Sequence, residues 1–157
     1  MKDILRYVVV MVFSFGISSC KFFPVWQGGT HGSIVSYSYN VSKDSLEAAV
    51  GLLIEHEESL RKIPLDGDSG TYVKISISKS DFIHLVVFRY AGDEDYWLSH
   101  PNDAHISVTA VKQEGSDYKN EHEMTPTEKS QAIAIFQEGV IDKLQVEMGL
   151  NPIEKPN

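Results

Sequence analysis

The chain has 157 residues, with 14 basic against 22 acidic side chains, a formal charge of −8 and a single cysteine. That is one domain's worth of sequence, long enough for a proper hydrophobic core. An acidic balance with no Lys/Arg cluster works against nucleic acid, whose binding rests on neutralising phosphates, and against electrostatic attraction to anionic lipid headgroups; one cysteine excludes an internal disulfide framework.

At the amino terminus Lys2 and Arg6 flank an apolar stretch from Tyr7 to Ile17, which then turns to small residues. This is the layout of a secretory signal. The run is well short of the ~20 residues a helix needs to cross the hydrocarbon core, and Pro24 and Gly28-Gly29 follow it, so no permanent transmembrane helix is expected. Its end, Ile17-Ser18-Ser19-Cys20, resembles the lipobox of bacterial lipoproteins, in which an aliphatic residue and two small residues precede the acylated cysteine. The resemblance is confined to the amino-terminal segment. It implies a signal peptide over residues 1–19, cleavage before Cys20, acyl chains on that thiol and a place in the cell envelope. One acyl chain gives marginal membrane binding whereas two or more hold firmly. Lys21 stands where Asp marks inner-membrane retention in enteric lipoproteins, so the same resemblance favours the outer membrane in an organism that has one. Cleavage would leave 138 residues with 12 basic and 21 acidic side chains, a charge of −9.

Residues 20–32 read as a tether, loosened by Gly28, Gly29 and Gly32. Phe22, Phe23, Val25 and Trp26 either lie at the bilayer surface or dock on the domain. From Ser33 the alternation of Val35, Tyr37, Tyr39 and Val41 with Ser36, Ser38, Asn40 and Ser42 predicts a half-buried strand. Ser42 or Asp44 can cap the helix that follows, with Asp44 and Glu47 in capping-box spacing and Val41 placed to staple onto Leu46. Its stripe is Leu46, Val50, Leu53 and Leu60, and Pro64 ends it.

Tyr72 to Ser78 predicts a strand with Val73, Ile75 and Ile77 on one face, and a turn at Lys79-Ser80-Asp81 leads to a second strand, Phe82 to Tyr90. The latter is apolar on both faces, so it is central or has one face waiting for a partner. Tyr96-Trp97-Leu98 is an optional further strand after Gly92-Asp93-Glu94-Asp95, and Ala104 to Lys112 is the last, with Ile106, Val108 and Ala110 aligned. After a polar loop, Thr125-Pro126-Thr127-Glu128 is a helix start with its capping box. Ile133, Phe136, Val140, Leu144 and Met148 form the buried stripe, and Gly149 ends the helix. The order predicts an α+β domain over residues 33–150: a largely antiparallel sheet of four or five strands with two helices on one face, then a tail over 151–157.

Four constellations bear on chemistry. Gly67-Asp68-Ser69-Gly70 is similar to the segment around the nucleophilic serine of chymotrypsin-like proteases, but the chain is too short for two β-barrels, and the upstream His31 and His56 fall in the tether and on a helix. A nucleophilic serine needs a base and an orienting acid within reach, so the string reads as a turn. Asp66, Asp68 and Gly70 fall short of a calcium loop, because Gly70 stands where a third ligand is needed and Thr71 where the glycine belongs. His56-Glu57 begins a helical zinc motif whose second histidine would fall at Leu60; Glu55, Glu57 and Glu58 read as a solvated helix face. His100, Asp103 and His105, near Asp93, Glu94 and Asp95, form the one local mixture of imidazole and carboxylate, a metal site only if the two turns close on each other; His84 reads as a core or edge histidine.

With no complete catalytic or cofactor motif, the sequence reads as a lipid-anchored, non-enzymatic envelope protein that binds another protein; an inhibitor or immunity-type protein is a specific form of this. The two-faced strand with Tyr96-Trp97 supplies a candidate apolar patch. The alternatives are a small-ligand or metal-binding domain at His100, Asp103 and His105, and a hydrolase using Ser69.

Overall fold

The computed structural model describes residues 32–65 and 71–153. Cys20 and the expected signal, the expected tether as far as His31, and the segment 66–70 with Asp66, Asp68, Ser69 and Gly70 lie outside the described residues. Strand β1 is Val35–Tyr39, and its alternation buries Val35, Tyr37 and Tyr39 while Ser36 stays exposed. Ser42 caps helix α1 (Lys43–His56) by accepting the Ser45 N–H; Asp44 sits in the first turn. Leu46, Val50 and Leu53 face the core, but the stripe stops there. Glu57 takes an extended backbone that breaks the helical ladder, so Leu60 belongs to a separate short strand, β2 (Leu60–Ile63), and Pro64 follows that strand rather than ending the helix. Glu57 is not part of a solvated helix face either: with Ser59 it receives hydrogen bonds from Lys143.

Strands β3 (Tyr72–Lys79) and β4 (Phe82–Ala91) form a hairpin around Ser80-Asp81. Tyr96-Trp97-Leu98 is helical, not a strand: Asp93 accepts the Tyr96 N–H and starts α2 (Glu94–Ser99). Gly92 brings the chain into it at φ 121°, with Trp97 so close that a Cβ would lie 2.7 Å from the indole Nε1. That position requires glycine on both counts. Strand β5 (Ala104–Gln113) completes the sheet, whose order is β1-β5-β4-β3-β2, every pairing antiparallel. β4 is therefore the central strand, as its apolar run predicts.

β5 departs from simple alternation. Val87 pairs with Ala110 and Phe88 with Val108, which leaves Thr109 as the extra residue of a β-bulge, its hydroxyl donating to the Val87 carbonyl at 3.1 Å. Beyond the bulge the faces exchange. Ala110, expected in line with Ile106 and Val108, turns away from the helices, and Val111 joins the core beside Val86.

Thr125 and Glu128 make their reciprocal capping box, with Pro126 opening α3 (Pro126–Phe136). Gln137–Ile141 then widens to π geometry before α4 (Asp142–Met148), which ends at Gly149. The wider turn shifts the buried stripe: Val140 and Ile141 are both buried, with Ala132, Phe136 and Leu144, whereas Ile133 and Met148 are only partly so. At Gly139 the helix comes down onto the sheet, where a Cβ would lie 2.9 Å from Ile77 Cγ2.

The result is a two-layer α+β domain with α1 and the α3–α4 rod on one face of an antiparallel sheet. Phe136 joins the layers, its ring 6.0 Å from Tyr37 and 5.5 Å from Phe88. The tail returns to the free edge of β1, where the Ile153 N–H donates to the Ser38 carbonyl. Among the described residues no helix is long and apolar enough to cross a membrane.

Candidate functional site

Helices α1, α3 and α4 leave the second face of the sheet to small, apolar and basic side chains. Register places Ser38, His105 and Ala91 in one row on this face, and Ser36, Ser107, Arg89 and Tyr72 in the next. Ala110, Val87, Lys74 and Ile63 follow, then Lys112, Leu85, Ser76 and Arg61. No residue of the five strands is Asp or Glu, although acidic residues outnumber basic ones in the chain. Charge is thus segregated by element: among the described residues the acids lie on helices, turns and loops.

Ion pairing follows the same division. Lys43, Lys79, Lys119, Lys129 and Lys143 each hold a carboxylate. Among the described residues Arg61, Lys74, Arg89 and Lys112 hold none, and Lys62, on the other side of the β2 edge, is the only further unpaired one. Lys74 and Lys112 lie over the Tyr118 ring at 5.7 and 4.7 Å from its centroid. Tyr118 reaches this face because Lys119 pairs with Val111 past the end of β1. Arg89 has its Nε buried without a hydrogen-bond partner.

At the α2 end of the face a shallow groove of about 300 Å³ is lined by Ser36, Ala91, Gly92, Tyr96, His105 and Ser107. Its wall is a polar network. Tyr96 donates to Asp103 Oδ2 at 2.5 Å, and His105 Nε2 lies 3.1 Å from Asp103 Oδ1 and 3.0 Å from the Tyr96 hydroxyl. Since the tyrosine proton goes to Asp103, the imidazole of neutral His105 carries its proton on Nε2, and its Nδ1 accepts from Ser38 at 2.8 Å. The Tyr96 hydroxyl, then His105, holds the Asp103 carboxyl below its usual range, and the same bond raises the Tyr96 phenol. Ser38, His105 and Asp103 have the connectivity of a nucleophilic triad but with the ring inverted, since in a triad the acid holds Nδ1 and the hydroxyl meets Nε2. The network ties α2 to the β1–β5 edge.

The sequence-predicted cluster is thus partly assembled. Asp103 and His105 meet through Tyr96, whereas His100 stacks on the other side of that ring, 4.6 Å between centroids. Both nitrogens of His105 are occupied by protein groups, and among the described residues no three His, Cys, Asp or Glu side chains converge to hold a metal ion. Asp93 is engaged as the cap of α2, with Glu94 and Asp95 in its first turn. His84 is half-buried on β4, and burial, then Lys79, lowers its pKa. His56 ends α1 with no second histidine near it in the helix. Ser69 and the calcium-like string lie outside the described residues.

Of the residues of the candidate apolar patch, Val86, Val87, Phe88 and Tyr90 are buried and Trp97 packs against the core, Leu85 and Tyr96 are partly exposed, and Phe82 and Ile83, at the hairpin tip, are 54% and 38% exposed. The basic face was missed because its cations come from four separate strands that only pairing brings side by side; the detectable trace was the want of any acid in the predicted strands. Comparison with protein-family models, characterised proteins and solved structures returns no match to this chain.

Proposed function

We propose that the protein is a lipid-anchored bacterial envelope protein, at the outer membrane where one exists, whose domain is a non-enzymatic module that holds an acidic protein partner on the second face of its sheet. The observation that carries this is the group of unpaired cations, Arg61, Lys74, Arg89 and Lys112, on a face whose strand residues include no carboxylate and whose nearest acid, Asp103, is engaged by Tyr96 and His105, whereas Lys43, Lys79, Lys119, Lys129 and Lys143 are each paired. Acidic side chains are in excess, so leaving these four unpaired is a property of the arrangement and not of supply. A patch of one sign steers an oppositely charged partner and fixes its orientation more than it adds raw affinity. The lipid on Cys20 supplies the membrane contact, which leaves the face available to a protein.

The test is cross-linking and recovery from solubilised envelopes with the triple variant Arg61→Glu, Lys74→Glu, Lys112→Glu beside a control reversing Lys119, Lys129 and Lys143. The expected result is an acidic partner lost from the first variant, kept by the control and weakened by salt. A partner retained equally by both variants, or binding of the unacylated protein to anionic vesicles that the first variant abolishes, would overturn the proposal.

A further inference from the structure

We infer that the tip of the β3–β4 hairpin, with Phe82 and Ile83, sits in the headgroup layer of the bilayer that holds the lipid on Cys20, an inference that rests on the anchoring reading above. Six large apolar side chains are exposed among the described residues, and only these two are neighbours in the chain; Leu52, Leu98, Val146 and Ile153 come from four separate places. Single exposed apolar residues are ordinary on a protein surface, so the weight falls on the pair. The pair also stands clear of the sheet. β2 begins opposite Ile77 and β5 ends opposite His84, so Phe82 and Ile83 lie past both neighbouring strands. Alternation sends Phe82 to the side of Val86 and Phe88, and Ile83 to the side of Leu85 and Val87. A protein partner would cover one side; apolar groups on both sides of a projecting end suit a medium that surrounds it.

The course of the chain puts the anchor at the same end. β1 starts at Val35 opposite Val108, and from there β5 runs five residues on, about 17 Å, to Gln113 opposite His84. Traced back toward the amino terminus, the chain therefore leaves β1 in the direction of the hairpin tip, and Gly32 lies against Glu121, just past the Lys119–Val111 bridge. Twelve residue steps separate Gly32 from Cys20, at most about 40 Å of extended chain. On so short a connection the tip meets the bilayer at high effective concentration, so two side chains suffice to orient a domain that they could not bind from solution. Charge sets the depth and the lipid. Lys79 is paired with Glu138, and Asp81 in the turn with Glu114 beside Ile83 leaves the tip acidic. The carboxylates stay among the headgroups while Phe82 and Ile83 reach the acyl boundary, and zwitterionic lipid with its ammonium groups fits better than anionic lipid. With the tip down, α2 lies at the far end and the cation-bearing face opens sideways to a partner beside it.

The experiment uses the mature acylated chain in phosphatidylcholine nanodiscs and reads backbone amides by NMR in the presence of a lipid with a nitroxide headgroup. The expected result is broadening from Ser80 to His84, none at Leu98 and Asn102 at the far end, and loss of the tip broadening in the double variant Phe82→Ser, Ile83→Ser, whose exposed positions leave Tm unchanged. Equal broadening at both ends, tip broadening that survives the double variant, or broadening that needs added phosphatidylglycerol would overturn the inference. Tip signals that shift with the number of protein copies per disc would do the same, by making a second chain the cover. A chain whose intact mass carries no acyl group removes the anchoring reading and the tip contact with it; an acylated chain on the disc with its tip in water leaves the anchor standing and overturns the tip contact alone.

Discussion

Gly139→Ala sets two effects of opposite sign against each other. In a helix interior alanine is favoured over glycine by about 1 kcal/mol. At this position, however, the new Cβ would meet Ile77 Cγ2 at 2.9 Å and Cδ1 at 3.2 Å, and Ile77 is only 2% exposed, in the core between the layers. Overpacking of that kind costs about 1–3 kcal/mol. The clash therefore wins, and Gly139→Ala should destabilise the protein by about 1 kcal/mol. The sign should reverse once the obstacle is gone. In an Ile77→Ala background, which itself costs about 2–5 kcal/mol, the same change should stabilise by about 1 kcal/mol, the propensity gain alone. A domain of this size holds roughly 6–15 kcal/mol, so the double variant stays folded. Urea unfolding of the four proteins closes the cycle. An equal effect of Gly139→Ala in both backgrounds would refute the close approach of the π turn to the sheet.

Leu144→Ala should cost about 2–5 kcal/mol, because the side chain is fully buried, whereas Val146→Ala, 83% exposed two residues on, should stay within about 0.5 kcal/mol by the same urea assay. Glu128, which caps α3, is held down to about 2, first by Lys119 and then by Thr125. Because the folded value is depressed, its stabilisation is complete above the ordinary glutamate value of 4.5 and is lost as pH falls toward 2, so Glu128→Gln should flatten the fall of Tm across that window; an unchanged slope would count against the capping box. Cys20→Ser should abolish acylation and normal signal cleavage while the fold from about Ser33 onward persists, since only that thiol can take the lipid and the described core is built from Ile34 onward. Detergent partitioning and intact mass decide it: unacylated wild-type protein in the aqueous phase would defeat the lipoprotein reading.

The period-2 and period-3.6 patterns made most of the fold legible: β1, the β3–β4 hairpin, β5 and both long helices lie within a residue or two of the predicted places, apart from the end of α1. The failures have local causes. Leu60 keeps helical phase with Leu53, so periodicity alone carried α1 past Glu57, where a change of backbone conformation ends it. Tyr96 and Trp97 suggested a strand by their β preference, but Asp93 followed by Glu94 and Asp95 is a helix start and prevailed. The Thr109 bulge and the π turn each insert one residue into a ladder, shifting Ala110 and Ile141 to faces that no fixed period assigns to them. At the candidate site, Asp103 and His105 were legible because they are two residues apart in sequence; Ser36, Ser38, Arg89 and Ser107 were not, since only strand pairing brings them together.

A central strand apolar on both faces calls for cover on both faces, yet the long helices lie on only one, and α2 reaches the other only at its His105 end. Val87 and Ala110 on the other side are nonetheless buried, and Lys74, Lys112 and Tyr118 are the long side chains around them. Lysine stems shield apolar surface while their ammonium groups stay in water. The centre of this face is therefore already covered within the chain, with charged groups around it. If the proposed docking reading holds, Tyr118, and not any single lysine, is the expected anchor for the acidic partner. Tyr118→Ala should lower partner affinity by about 2 kcal/mol, roughly thirtyfold, as truncation of a central aromatic does, while Lys74→Ala or Lys112→Ala at the rim should each cost less than about 1 kcal/mol and chiefly slow association. Binding kinetics with the partner recovered by cross-linking would separate the two. If Tyr118→Ala left the dissociation rate unchanged while one lysine substitution raised it tenfold, the contact would be a single ion pair and not a face built around Tyr118.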